Sequence, residues 1–111
     1  THSGPHRDDL TLKLGGRALR GFGSAGQQRT SAIALRLLER ATVHEHTGRT
    51  PLVLLDDPFA ELDVDRARQI LRVLAEGAAG QTFLVVPRAD DVPDAYTALS
   101  RHTIRDGVLD A

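Results

Sequence analysis

The chain has 111 residues, of which 41% are hydrophobic and 26% charged, and this balance excludes wholesale disorder and fibrous repeats. The length allows one hydrophobic core, so a single domain over residues 1–111 is expected. Apolar runs such as Pro51 to Leu55 are far shorter than the roughly 20 residues of a membrane span, and no export signal is visible. The absence of cysteine excludes disulfides and thiolate metal sites. We therefore expect a cytoplasmic protein without a membrane partner.

The net charge of −1 conceals an asymmetry between the two halves of the sequence. Residues 1–50 hold eight basic and four acidic residues, whereas residues 51–111 hold six basic and eleven acidic ones. A basic half can face phosphates and an acidic half can hold a cation, but chance placement explains the same counts. The charge pattern is therefore compatible with phosphate binding without requiring it.

The first predicted element is a β-hairpin. Leucines alternate with polar residues from Leu10 to Leu14, as in a strand with one buried face. Gly15-Gly16 then supplies the positive φ angles of a two-residue turn, and Arg17 to Phe22 follows as the second strand.

A long helix is predicted next. Ser24 and Gln27 have the spacing of a capping box, in which each side chain satisfies the backbone N–H of the other residue. From Thr30 the apolar positions repeat with the period of one helical face. A polar loop is expected from His44 to Thr50.

Two apolar runs, residues 52–55 and 82–86, predict strands that are buried on both faces of a parallel sheet. Between them Asp63 can cap a helix that ends at Gly77. Its predicted apolar stripe comprises Ala67, Ile70, Leu71 and Leu74. The order strand, helix, strand predicts an α/β fold with parallel pairing through a right-handed crossover.

The tail is predicted to add a short helix near Pro93 to Leu99 and an edge strand around His102 to Ile104. Asp106-Gly107 is expected to form a turn after that strand.

The first candidate site is the pair Asp56 and Asp57, which follows the first apolar run. Open α/β sheets bind ligands at the carboxyl ends of their strands, and in nucleotide hydrolases a carboxylate there holds Mg²⁺. A neighbouring carboxylate can position or deprotonate the attacking water. The alternative is that the acids only end the strand before Pro58 turns the chain.

The second candidate site is the segment Gly23 to Gln28 at the head of the long helix. Small residues let a ligand approach the backbone, and a helix N-terminus offers free N–H groups and a positive dipole end to phosphate. The alternative is that Ser24 and Gln27 serve only as a cap, with the glycines as turn residues.

Two weaker candidates involve histidine. His6-Arg7 could contact DNA phosphate, or Arg7 could pair with the neighbouring acids Asp8-Asp9. His44 and His46 are separated by about 200° on a helix, so a solvated helix end is favoured there over a metal site. The aromatic residues are sparse and are not interleaved with basic ones, so no platform for base stacking is visible.

In combination these segments resemble ABC-type ATPases. Ser24-Ala25-Gly26-Gln27 is similar to their signature motif, Leu52 to Asp57 to their Walker B strand, and Ala60 to Asp63 to the D-loop that follows it. More narrowly, the sequence from about Gly4 to Val108 resembles the carboxyl-terminal part of the RecF family of recombination mediators, which is related to SMC heads. The fold implied is an α/β part of a P-loop, ABC-type ATPase head, with parallel strands, flanking helices and an N-terminal β-hairpin.

The resemblance implies a role for each matched residue. Asp56 would hold Mg²⁺, and Asp57 would take the position of the general base, where many ABC ATPases carry Glu. Ser24, Gly26 and Gln27 would reach the γ-phosphate of an ATP bound to the opposite subunit of a homodimer. Asp63 in the D-loop would contact its counterpart across that dimer.

The sequence departs from the ABC pattern in two places. The switch histidine expected after the second apolar run is absent, and Arg88 stands near its position as a γ-phosphate sensor or a solvated loop residue. No G-x-x-x-x-G-K-[ST] motif is present, so nothing here cradles a β-phosphate. The chain therefore resembles the second lobe of a split head whose P-loop lobe is missing.

The function implied is an ATPase of DNA replication, repair and recombination, which binds DNA as an ATP-dependent dimer and without regard to base sequence. Other recombination mediator proteins are possible partners. One alternative is a non-catalytic module that binds DNA or a partner protein, and another is the nucleotide-binding subunit of an ABC transporter. We expect negligible ATP hydrolysis by the 111 residues alone.

Overall fold

We describe the chain in a computed structural model, over residues 9–76, 80–94 and 99–110. Two strands are followed by two helices, then by a strand–helix–strand unit, a 3₁₀ helix and two further strands. The elements in chain order are β1 (Lys13–Leu14), β2 (Arg17–Ala18), α1 (Leu19–Phe22), α2 (Ala25–Thr47), β3 (Val53–Asp56), α3 (Val64–Glu76), β4 (Thr82–Val85), a 3₁₀ helix (Ala89–Asp91), β5 (Thr103–Arg105) and β6 (Val108–Asp110).

The amino-terminal hairpin forms as predicted but is shorter. Strand β1 pairs antiparallel with β2, and Gly15 and Gly16 between them have φ angles of 59° and 79°. The prediction of a second strand that continues to Phe22 is wrong, because the chain turns into α1 after Ala18. There Leu19 leaves the alternating pattern and is buried, and its N–H donates to the carbonyl of Leu12 at 2.8 Å.

Helix α2 begins at the predicted capping box. The Ser24 Oγ accepts from the Gln27 N–H at 3.2 Å, and the Gln27 Oε1 accepts from the Ser24 N–H at 2.9 Å. The predicted loop from His44 is wrong, because the helix continues to Thr47 with its polar residues in solvent. Gly48 ends it with a φ of 70°, the left-handed conformation that stops a helix after its last turn.

The parallel pair β3 and β4 is confirmed, with Val53 opposite Thr82 and Asp56 opposite Val85. Helix α3 connects the two strands. Asp63 caps it as predicted, since its Oδ1 accepts from the Arg66 N–H at 2.8 Å. The predicted stripe faces inward: Ala67, Ile70 and Leu71 are buried, and Leu74 packs against them.

Burial of these strands on both faces is a prediction that the structure contradicts. Val53 and Leu55 are buried with residues of α2 and α3, whereas Leu54 is 70% exposed and Val85 58% exposed. Both helices pack on one face of the sheet, so the described part of the chain leaves the other face open. The radius of gyration of 16.5 Å exceeds the value of about 13 Å for a compact domain of this length.

The carboxyl-terminal elements form a second hairpin. Strand β5 pairs with β6, and the predicted turn at Asp106 and Gly107 has φ angles of 49° and 79°. The predicted edge strand therefore pairs within this hairpin rather than with β3 or β4. The helix predicted near Pro93 to Leu99 lies mostly outside the described residues. Within the described ranges, no helix is both long and apolar enough to cross a membrane.

The one-faced sheet predicts very different effects for two neighbouring leucines of β3. Leu55→Ala removes a buried side chain and should destabilise the chain by about 2–5 kcal/mol, whereas Leu54→Ala should change stability by less than about 0.5 kcal/mol. Urea unfolding of the 111-residue chain followed by circular dichroism measures both. Equal losses for the two variants would show that the outer face is covered.

Candidate functional site

The carboxyl end of β3 carries two acidic residues in different surroundings. Asp56 is exposed, whereas Asp57 is half-buried and has a φ of 47°. Aspartate tolerates this left-handed conformation better than most residues. The Asp57 N–H donates to the carbonyl of Val85 at 2.7 Å, and the fully buried Pro58 follows. The backbone thus makes a sharp turn directly after the strand.

The two acidic residues line different cavities, and the left-handed turn at Asp57 separates it from the strand residue Asp56. Asp57, Asp63 and Arg88 line one cavity of about 420 Å³. Asp56 lines another of about 380 Å³, together with residues from the first turns of α2. The structure therefore brings three of the predicted site residues together and separates Asp56 from them.

The predicted signature residues lie at the head of α2. The side chains of Ser24 and Gln27 hold the cap already described, and neither residue lines the two cavities. Gly26 is buried, and a Cβ atom there would lie 2.8 Å from the Arg66 Nη1 and 3.2 Å from the Glu61 carbonyl oxygen. Only a glycine lets the helix start approach this loop so closely.

The loop between β3 and α3 is the predicted D-loop. Glu61 has a φ of 62°, and the Leu62 N–H donates to the carbonyl of Phe59 at 3.1 Å. Asp63 caps α3 and lies 3.8 Å from the Arg66 Nε. This loop therefore connects the Asp57 turn to the segment that packs on Gly26.

Sequence reasoning missed Arg29. Its Nη1 donates to the Asp57 carbonyl oxygen at 2.9 Å, so it connects α2 directly to the turn after β3. Arg29 precedes the buried Ile33 by four residues and so lies on the helix face that meets the core. A basic residue on a core-facing position was the signal that could have identified it.

The remaining predicted residues are peripheral or outside the described ranges. Arg88 is exposed, its N–H donates to the Asp91 Oδ2 at 3.1 Å, and its Nε lies 3.7 Å from the Asp91 Oδ1. His6 and Arg7 lie outside the described residues, and His44 donates to or accepts from Thr50 at 2.9 Å.

The acidic residues suit an open magnesium site, which phosphate oxygens complete, better than a site closed by protein ligands alone. No group of three histidine or acidic side chains converges within the ranges that the structure describes. Mg²⁺ is usually held by one or two carboxylates together with substrate phosphates and waters. The exposed carboxylate of Asp56 could supply one such ligand.

The close packing at Gly26 yields a stability prediction. Gly26→Ala places a methyl group against the Glu61 carbonyl and should destabilise the chain by roughly 1 kcal/mol or more. Gly21→Ala is the matched control, because its Cβ would meet nothing within 4 Å and alanine favours the helix by up to about 1 kcal/mol. Thermal unfolding of both variants measures the difference, and two equal shifts would contradict the packing.

Comparisons with known proteins find relatives of the chain. No family model matches the chain. It is 45% identical over 109 residues to the DNA replication and repair protein RecF of Magnetococcus marinus, which covers 98% of this chain and 28% of the relative. It is 42% identical over 92 residues to that of Bacillus subtilis, over 83% of this chain and 24% of the relative. The chain thus spans about a quarter of the length of these relatives.

A solved structure is similar as well. It shows the recombination mediator protein RecF with the ATP analogue ATPγS, in the RecFOR pathway, and matches with a TM-score of 0.61 and 36% identity. The match covers 99% of this chain and 28% of that one. The expected fold, part of an ABC-type ATPase head, is thereby confirmed. The chain belongs to the RecF family and corresponds to the carboxyl-terminal part of its members.

Proposed function

We propose that the whole protein containing this chain is an ABC/SMC-type ATPase that acts in DNA replication, repair and recombination. RecF relatives with 37–53% identity support the biological role. The ATP analogue in the similar RecF structure supports the nucleotide. Since the chain spans about a quarter of those proteins, the P-loop and the adenine contacts are assigned to the remainder.

The observation that carries this proposal is the packing of Gly26 on the loop after Asp57. A Cβ atom at position 26 would lie 3.2 Å from the Glu61 carbonyl oxygen, so the helix start packs closely on the loop that follows the acidic turn. A phosphate-binding helix start and a strand-end carboxylate are the two features that nucleotide hydrolysis requires from this lobe. Within one chain, this packing fixes where the helix start lies relative to the loop that follows the carboxylate.

The two carboxylates are assigned different roles. Asp57 is assigned to orient and deprotonate the attacking water. A backbone hydrogen bond to Val85 fixes the half-buried turn that carries it. Asp56, exposed on the other side of the strand end, contributes a ligand to Mg²⁺. When bound, ATP supplies the scissile phosphate and Mg²⁺ neutralises the charge that develops on it.

A homodimer with shared active sites completes the proposal. Ser24 is exposed, and neither it nor Gln27 lines the cavities that border the chain's own carboxylates. The capping box already uses the Gln27 N–H, so this helix start presents the Ser24 side chain and its positive dipole end to a nucleotide held by a second subunit. Asp63 is also exposed, as a D-loop contact across such a dimer requires.

DNA is the proposed partner, bound through phosphates and without base specificity, and other recombination mediators are proposed to join it. The similarity to DNA replication and repair proteins favours this role over that of an ABC transporter subunit. The non-catalytic alternative lacks a specific observation in its favour, because both strand-end carboxylates are present. ATP turnover decides between the catalytic and non-catalytic proposals.

We predict that Asp57→Asn in the full-length protein lowers ATP turnover by at least about a hundredfold while ATP binding is retained, because the amide cannot accept the water's proton. Phosphate release and equilibrium binding of a fluorescent ATP analogue measure the two effects. Asp65→Asn, on the exposed first turn of α3, is the matched control. Unchanged turnover of Asp57→Asn would show that Asp57 is not the base. Clear Mg²⁺-dependent turnover by the 111 residues alone would contradict the proposal that the P-loop lies in the remainder of the protein.

Mixing two inactive variants tests whether the active site is shared. Ser24→Arg blocks the helix start and Asp57→Asn removes the base, so each homodimer should be inactive. A mixed dimer retains one intact site, and an equimolar mixture should regain up to about a quarter of the wild-type turnover. Steady-state ATP hydrolysis during titration of one variant with the other measures this. No recovery, with dimers present by light scattering, would place both residues at the same subunit's nucleotide.

A further inference from the structure

The backbone N–H and C=O of Asp57 are both hydrogen-bonded to neighbouring elements. Its N–H donates to the carbonyl of Val85 on β4, and its C=O accepts from the Arg29 Nη1 on α2 at 2.9 Å. Between these two bonds the residue has a φ of 47°, a conformation that costs energy for any residue other than glycine. The Asp57 carbonyl also accepts from the Ala60 N–H at 3.4 Å within the turn itself, so the shorter bond from Arg29 adds a hydrogen bond from α2 to a turn that already has a local one.

Arg29 lies where a movement of α2 can affect the Asp57 turn. It follows Gln27 by two residues, in the first turns of a helix whose start is fixed by the capping box and by the glycine contact to Glu61. It is half-buried, and it also lines the cavity beside Asp56. Because hydrogen bonds weaken steeply with distance and angle, a small shift of α2 alters the strength of the hydrogen bond from Arg29 to the Asp57 carbonyl.

We propose that Arg29 is a positioning residue that couples the phosphate-facing start of α2 to the orientation of the Asp57 carboxylate. The inference rests on the proposed function, in which Asp57 acts on the attacking water. In the shared-site dimer, contact of one subunit's helix start with the γ-phosphate held by its partner places that subunit's Arg29, and Arg29 then sets the backbone of the base that acts on the subunit's own nucleotide. Hydrolysis thus proceeds at its full rate only after the helix start is engaged.

A group that acts in this way affects turnover more than substrate affinity. Loss of the Arg29 guanidinium leaves the nucleotide contacts intact but lets the Asp57 turn relax, and a displacement of about 1 Å at a reacting group costs up to about a hundredfold in rate. A residue that merely supported the fold would lower stability without this separation of kcat from KM.

The test uses the full-length protein with Arg29→Gln, Arg29→Lys and the control Arg72→Gln. Arg72 lies on α3, where its exposed side chain is 3.4 Å from Glu76. We expect Arg29→Gln to lower kcat by about ten- to a hundredfold with KM for ATP changed by less than about threefold. Arg29→Lys keeps a donor and should recover part of the loss, and Arg72→Gln should match the wild type.

A double variant shows whether Arg29 acts through Asp57. In the Asp57→Asn background, Arg29→Gln should change the residual turnover by less than about twofold, because the group it positions is already absent. Unchanged kcat in Arg29→Gln, a change confined to KM, or a full additional loss in the double variant would each overturn the inference. If Arg29→Gln unfolds, kcat and KM are measured for Arg29→Lys instead. Wild-type kinetics in that folded variant would also overturn the inference.

The two proposals fail in different ways. Absent ATP turnover in the wild-type protein would remove the proposed function itself. Wild-type turnover that depends on Asp57 but not on Arg29 would remove only the coupling.

Discussion

The contact of α2 with the turn after β3 is the constraint on which the rest of the site depends. Arg29 reaches the Asp57 carbonyl across 28 positions of sequence, and Gly26 lies against the Glu61 backbone. Neither contact is strong alone, since a hydrogen bond contributes about 1 kcal/mol net and a bond from a charged donor about twice that. Together they place a helix start and a strand end at a fixed distance, which neither element determines by itself.

One face of the sheet formed by β3 and β4 is open in the described part of the chain. Strands β3 and β4 bury Val53 and Leu55 against both helices, while Leu54 and Phe83 remain exposed on the opposite side. Burial of such side chains contributes about 1.5–3 kcal/mol each, so the described residues realise only part of the stabilisation that their sequence offers. The site is nevertheless formed, because its contacts lie at the end of the strands and not on the open face.

Local signals in the sequence predicted most of the secondary structure. The capping box of Ser24 and Gln27, the glycine turn of the first hairpin and the Asp63 cap each satisfy specific backbone groups within a few residues, so the sequence contains the whole interaction. The helix that runs past His44 and the one-faced sheet were mispredicted for a different reason. A polar segment is equally compatible with a loop and with an exposed helix end, and an apolar run does not reveal what covers it.

The candidate site was predictable by residue type but not by arrangement. The motif order identified Asp56, Asp57 and the signature segment, and the pattern at a strand end explains why acids occur there. Periodicity alone could not show that the two carboxylates border separate cavities, because that depends on the left-handed turn at Asp57. It could not identify Arg29 either, since the hydrogen bond joins residues whose proximity arises only when α2 packs on β3.

The separation of the two carboxylates has a consequence for how the site would be regulated. If both lay in one cavity, their repulsion would raise the affinity for protons or cations irrespective of any partner. On opposite sides of the strand end, Asp56 can receive a cation while Asp57 stays under the control of the backbone contacts from α2 and β4. Under the proposed function, metal binding at Asp56 and alignment of Asp57 are therefore separate events, and a conformational change at the helix start can govern the second without disturbing the first.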